Sequence, residues 1–122
     1  MSSSIITNPA HPLEWSILGW WTLTPGRAIT VETTDAKDLS KAELIILTPF
    51  QDAWRPSIVL DKSHALFSTA QCTWIRSVNG ALTLYYIDVL KVDNTHVKLT
   101  ASANCTASTR LQLMALAPVG TY

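Results

Sequence analysis

Charge is scarce in this chain. Only 15% of its 122 residues are Asp, Glu, Lys or Arg, against about 25% in an ordinary globular domain. Nine basic and nine acidic residues cancel, and Arg27, Lys37, Lys41, Arg55, Lys62, Arg76, Lys91, Lys98 and Arg110 form no cluster. A nucleic-acid groove needs several phosphates neutralised together, and a membrane-surface patch needs clustered Lys and Arg, so the sequence argues against both partners. Low charge has two readings. Either the outer faces of a β-rich domain are written in Ser and Thr, or part of the apparent surface is covered by other subunits, because obligate interfaces resemble a core cut in half. A neutral chain also has little self-repulsion when many copies pack together.

Glycine is equally sparse, at four residues. There is no Gly-flanked nucleophile elbow and no Gly-rich oxyanion loop, so Ser63, His64 and Asp61 read as solvated turn residues rather than as a triad. The acids Asp52, Asp61, Asp88 and Asp93 are scattered; only Asp88 sits in an apolar run, and it is expected to point outward. His11, His64 and His96 show no i, i+2 pairing and no cysteine at zinc-ligand spacing. No catalytic residue, metal site or cofactor is therefore expected, and the chain is read as not an enzyme. Cys72 and Cys105 lie 33 positions apart without a CxxC and read as small buried thiols. Asn104-Cys105-Thr106 matches a glycosylation sequon, but residues 1–9 lack the basic start and the apolar stretch of roughly 7–15 residues of a secretory signal. Trp15–Leu23 is too short and too polar to cross a bilayer. The expected location is a virion, or the cytoplasm before assembly.

What is present is a succession of short β-strands. Apolar and β-branched runs recur from Trp15 to Ala117 with turn residues between them. Strands are expected over Trp15–Thr24, Ala28–Thr33, Glu43–Thr48, Pro56–Leu60, Ala65–Phe67, Gln71–Val78, Ala81–Val92, His96–Ala101 and Arg110–Ala117. Pro49 is expected to end the third of these. The polar stretch Asp35–Lys41 reads as a loop with one helical turn. Pro25-Gly26 is a turn, because Pro presets φ and Gly accepts φ > 0. Asn79-Gly80 is the strongest short hairpin signal. No stretch shows convincing helical period. The fold class is all-β: a single antiparallel β-sandwich over residues 13–122, jelly-roll-like, with eight or nine strands. Residues 1–12, rich in Ser with Pro9 and Pro12, form an extended N-terminal arm expected to dock on this chain's own sheet or on a neighbour.

Aromatics carry the functional signal. There are five tryptophans, and the adjacent pair Trp20 and Trp21 on one strand must point to opposite faces. One of them therefore lies outside the core or under a partner, and the same holds for Tyr85 and Tyr86. Trp54 lies in a polar loop with Asp52 and Arg55, a plausible ligand-recognition trio. The expected interface set is Ile5, Ile6, Trp20, Trp21, Tyr85 and Tyr86. Two functions follow from these residues. The first is a structural subunit of a large assembly, most specifically a virus or bacteriophage particle component (capsid decoration, tail or fibre), with copies of itself and other subunits as partners. The second is a lectin-like carbohydrate-binding module that stacks a sugar on an exposed ring.

Overall fold

Strand β8, Arg110–Pro118, shows how this sequence makes a sandwich: its residues alternate strictly between buried and half-buried positions. Leu111, Leu113, Ala115 and Ala117 point inward, at 0–1% exposure, while Gln112, Met114 and Leu116 point outward. The same period of two runs through the rest of the chain. The computed structural model describes residues 12–61 and 69–122. In chain order the other strands are β1 (Leu13–Thr22), β2 (Ala28–Glu32), β3 (Leu44–Phe50), β4 (Ile58–Asp61), β5 (Ala70–Val78), β6 (Ala81–Asp93) and β7 (His96–Ala101). Residues 1–11 of the arm and the strand expected at Ala65–Phe67 lie outside the described residues.

Two antiparallel four-stranded sheets face each other, in the orders β1-β8-β3-β4 (the front sheet) and β2-β7-β6-β5 (the back sheet). The chain is a β-sandwich. First strand pairs with last, β1 with β8, and second with last but one, β2 with β7, whereas β3–β4 and β5–β6–β7 pair with their sequence neighbours as a hairpin and a meander. Between the sheets, Leu18, Ile45, Leu47, Leu111 and Leu113 meet Cys72, Trp74, Ile87, Val97 and Leu99 in one core. Cys72 and Cys105 are free and buried, and burial pushes the Cys72 thiol up to about 12.

The turns follow their residue chemistry. Asn79 and Gly80 both take positive φ, 50° and 81°, as the β5–β6 hairpin requires. Gly26 also has positive φ, at 75°. The polar Asp35–Lys41 stretch contains two short 3-10 turns rather than one helical turn, at Thr34–Ala36 and Leu39–Lys41. Asp38 caps the second by accepting from the Ser40 amide at 2.8 Å, and Leu39 is buried in the core.

Two local expectations are corrected. Strand β3 runs through Pro49 to Phe50. Strand β4 pairs only with Leu44–Leu47, and the Pro49 carbonyl, on the side away from β8, accepts from the Arg55 amide at 2.9 Å. The missing N–H of Pro49 therefore faces away from the β8 ladder, where proline is tolerated. Strand β1 does not alternate uniformly. Ile17 pairs with Met114 and Gly19 with Leu113, leaving Leu18 as the extra residue of a β-bulge. Leu18 and Gly19 are consequently both buried, and the alternation changes phase across them. Trp15 and Ile17, which unbroken alternation along the expected strand Trp15–Thr24 would set on the face of Trp21, lie instead on the outer face with Trp20.

Candidate functional site: an apolar outer sheet face

That change of phase builds the site. The outer face of the front sheet carries cross-strand rows of apolar side chains. One row is Ile17, Met114, Ile46 and Val59, one residue from each strand; the next is Trp15, Leu116 and Leu44, ending at Asp61. Along its edges Leu13, Trp15, Ile17 and Val59 are 45%, 47%, 50% and 57% exposed. Burying such residues in water-free contact would be favourable by roughly 25 cal/mol per Å², so leaving them open costs the free chain that stabilisation. Polar positions return in the row of Trp20, Gln112 and Thr48, where the Thr48 and Ser57 hydroxyls lie 2.7 Å apart.

An aromatic cluster closes this end of the face. The Trp20 ring lies 5.1 Å from Trp54 and 6.4 Å from Phe50, and Phe50 meets Trp54 edge-on at 5.5 Å. The Arg110 guanidinium sits 5.8 Å from the Trp20 centroid and 6.0 Å from that of Phe50, within cation–π range. Its Nε is buried with no hydrogen-bond partner among the described residues, so the rings are what it packs against. Trp20 and Trp54 keep 40% and 55% of their surface exposed.

The loop trio Asp52, Trp54 and Arg55 is not brought to one point. Only Trp54 faces the cluster. Arg55 turns back on its own loop, donating through Nε and a terminal nitrogen to the Gln51 carbonyl at 3.1 and 2.7 Å. Asp52, at φ 61°, ties the loop to other parts of the fold: it accepts from the Ser108 hydroxyl at 2.7 Å and from Arg76 of β5 at 3.1 Å. The Ser108 bond first, then the Arg76 bond and charge, hold its carboxyl below the ordinary value. The stabilisation from a lowered carboxyl is present above its unfolded value of about 3.9 and is lost as pH falls through the folded one. Asp52→Asn is therefore expected to shrink the loss of thermal stability below pH 4. An unchanged acid limb would show that these bonds carry no stability.

The adjacent aromatic pairs split as their strand geometry demands. Trp20 faces out while Trp21 packs half-buried against the core. Tyr85, expected at an interface, is a core residue at 5% exposure, its ring stacked 5.8 Å from Trp74 at an interplanar angle of 12°. It is removed from the interface set; Tyr86 lies half-buried on the other side of β6. Ile5 and Ile6 are outside the described residues.

Sequence reasoning missed Arg110, Phe50 and the outer half of β8. The signal was there, because Met114 and Leu116 make the outward positions of β8 apolar as well as the inward ones.

The back sheet has a more polar centre. Exposed Asp88 accepts from Gln71 Nε2 at 2.7 Å, with Lys98 and Thr100 on the next strand. Its apolar exposure is largest on the β5–β6 hairpin, which extends beyond β7, where Ile75, Leu82 and Leu84 are 62%, 80% and 55% exposed, and it continues at Leu90 and Val92 of β6, at 40% and 53%. His96 has Asp93 at 2.9 Å on Nδ1 and Glu32 at 3.4 Å on Nε2. These carboxylates sit on different ring nitrogens and do not converge, and no group of three or more potential metal ligands occurs among the described residues. No described helix is long and apolar enough to cross a membrane. No protein-family model, curated protein or solved structure matches the chain.

Proposed function

We propose that this chain is a non-enzymatic structural subunit of a many-copy assembly, docking through the outer face of the front sheet and through its N-terminal arm. The observation that carries this reading is the open apolar face from Leu13 to Trp54, spanning all four strands. Contiguous exposed apolar surface of this kind marks interaction sites in soluble proteins. Zero net charge supports close packing of copies. A virus or bacteriophage particle component is the specific class we favour, by analogy at the level of a β-sandwich building block.

Deleting residues 1–12 is expected to leave a folded domain with weakened association, measured by sedimentation velocity beside circular dichroism. Loss of folding would instead make the arm part of the core.

A second reading rests on the Trp20–Trp54 cluster. Two half-open rings beside Gln112, Thr48 and Ser57 combine a stacking surface with hydrogen-bonding groups, as a sugar-binding platform does. Glycan-array binding that disappears in Trp54→Ala, from a chain that stays monomeric, would select this reading over assembly.

A further inference from the structure

We infer that the occupant of the front sheet's outer face is a second copy of the same chain, packed face to face about a two-fold axis near Met114 and Ile46. This rests on the assembly reading and names its partner.

Shape is the first argument. A twisted antiparallel sheet is matched best by another sheet of the same twist, and such faces pack about 10 Å apart with strands inclined by about 30°. The outer face repeats the device that already works inside this molecule: alternating apolar residues in cross-strand rows. A copy of itself presents the same twist and the same rows.

Area is the second. Four strands about 4.8 Å apart, over a length of roughly eight residues at about 3.3 Å each, give a plane of roughly 500 Å². Side-chain corrugation adds to that figure, bringing it towards the ~800 Å² per partner of a standard interface. Burying Trp15, Ile17 and Val59 leaves an apolar centre with Trp20, Trp54 and Arg110 toward one margin.

Charge is the third. The rows at the middle of the face contain no charged side chain; Arg110 and Asp61 lie at its margins. Superposing two such faces brings no like charges together at the centre. An acidic or basic partner would find nothing there to recognise.

In a two-fold interface, a residue near the axis meets its own copy. Introducing Ile46→Lys or Ile46→Glu therefore places like charges opposite each other, and each variant alone is expected to self-associate at least about tenfold more weakly, equivalent to about 1.4 kcal/mol. An equimolar mixture of the two should recover association, because the charges are then opposite. A second readout is cross-linking of full-length Ile46→Cys with a short bismaleimide, with Leu82→Cys on the β5–β6 hairpin as control. The native thiols Cys72 and Cys105 are buried and leave a quiet background.

Covalent dimers from Ile46→Cys but not from Leu82→Cys, together with recovery in the Lys/Glu mixture, support the inference. If larger species persist but are indifferent to Ile46, or vanish only when residues 1–11 are removed, another surface or the arm is the occupant. That result overturns the inference while leaving the assembly reading intact. A chain that stays monomeric throughout overturns both.

Discussion

Gly19→Ala is expected to lower the stability of the fold by about 3 kcal/mol, at the upper end for overpacking a well-filled site. Gly19 lies inside the β1 bulge and points inward, two positions before Trp21. A Cβ at Gly19 would overlap Cζ2 and Cη2 of the Trp21 ring and stand 2.6 Å from Cε2, inside any van der Waals contact. The indole has no easy retreat, because it is half-buried against the core. Relief requires either displacement of the ring or a shift in the bulge, and the bulge sets which residues of β1 face outward. Urea unfolding of Gly19→Ala, Trp21→Leu and the double variant checks the argument. Removing the ring first should make the alanine nearly neutral, a clear departure from additivity. A wild-type midpoint for Gly19→Ala alone would mean that Trp21 does not lie over Gly19.

Trp20→Ala is the second large effect, and it should fall on association rather than on folding. The ring is 40% exposed and packs against the cluster of Trp54, Phe50 and Arg110. Losing those contacts should cost the fold about 1 kcal/mol, the scale of an aromatic pair. As an anchor beside a desolvated apolar face, the same ring is expected to contribute about 2 kcal/mol or more to docking, or about 30-fold in affinity. Sedimentation equilibrium beside urea unfolding separates the two. If stability falls while association is untouched, Trp20 only braces the Phe50–Arg55 loop, and the aromatic end of the face is not part of the interface.

The strands were legible because their information is local. The alternation of β7, the Asn79-Gly80 turn and the apolar run of β3 each declare themselves within a few residues. What the sequence could not show depends on partners distant along the chain. The β1 bulge arises from its pairing with β8, some ninety positions later; Gly19 is its one local hint, since glycine inside a strand often marks a bulge, but it does not say which residue is the extra one. Unbroken period-two alternation along Trp15–Thr24 therefore sets Trp15 and Ile17 on the face of Trp21, the wrong one. Pro49 was read as a strand end because its lost N–H matters only if a neighbour is there to need it, and β4 stops short. The rule that adjacent rings diverge was sound for Trp20 and Trp21 and for Tyr85 and Tyr86. Which ring went inward was a tertiary matter: Tyr85 found Trp74 across the hairpin. The trio of Asp52, Trp54 and Arg55 was assembled from proximity in sequence, and the positive φ of Asp52 turns its carboxylate toward Ser108 and Arg76 instead of toward Trp54.

The most direct test of the account is the solution mass of the full-length chain, measured by light scattering across a range of concentrations. The account predicts a species heavier than the 13.4 kDa chain, growing in population with concentration and reduced by Trp20→Ala. A mass of one chain at every concentration, unchanged by that substitution, would contradict it.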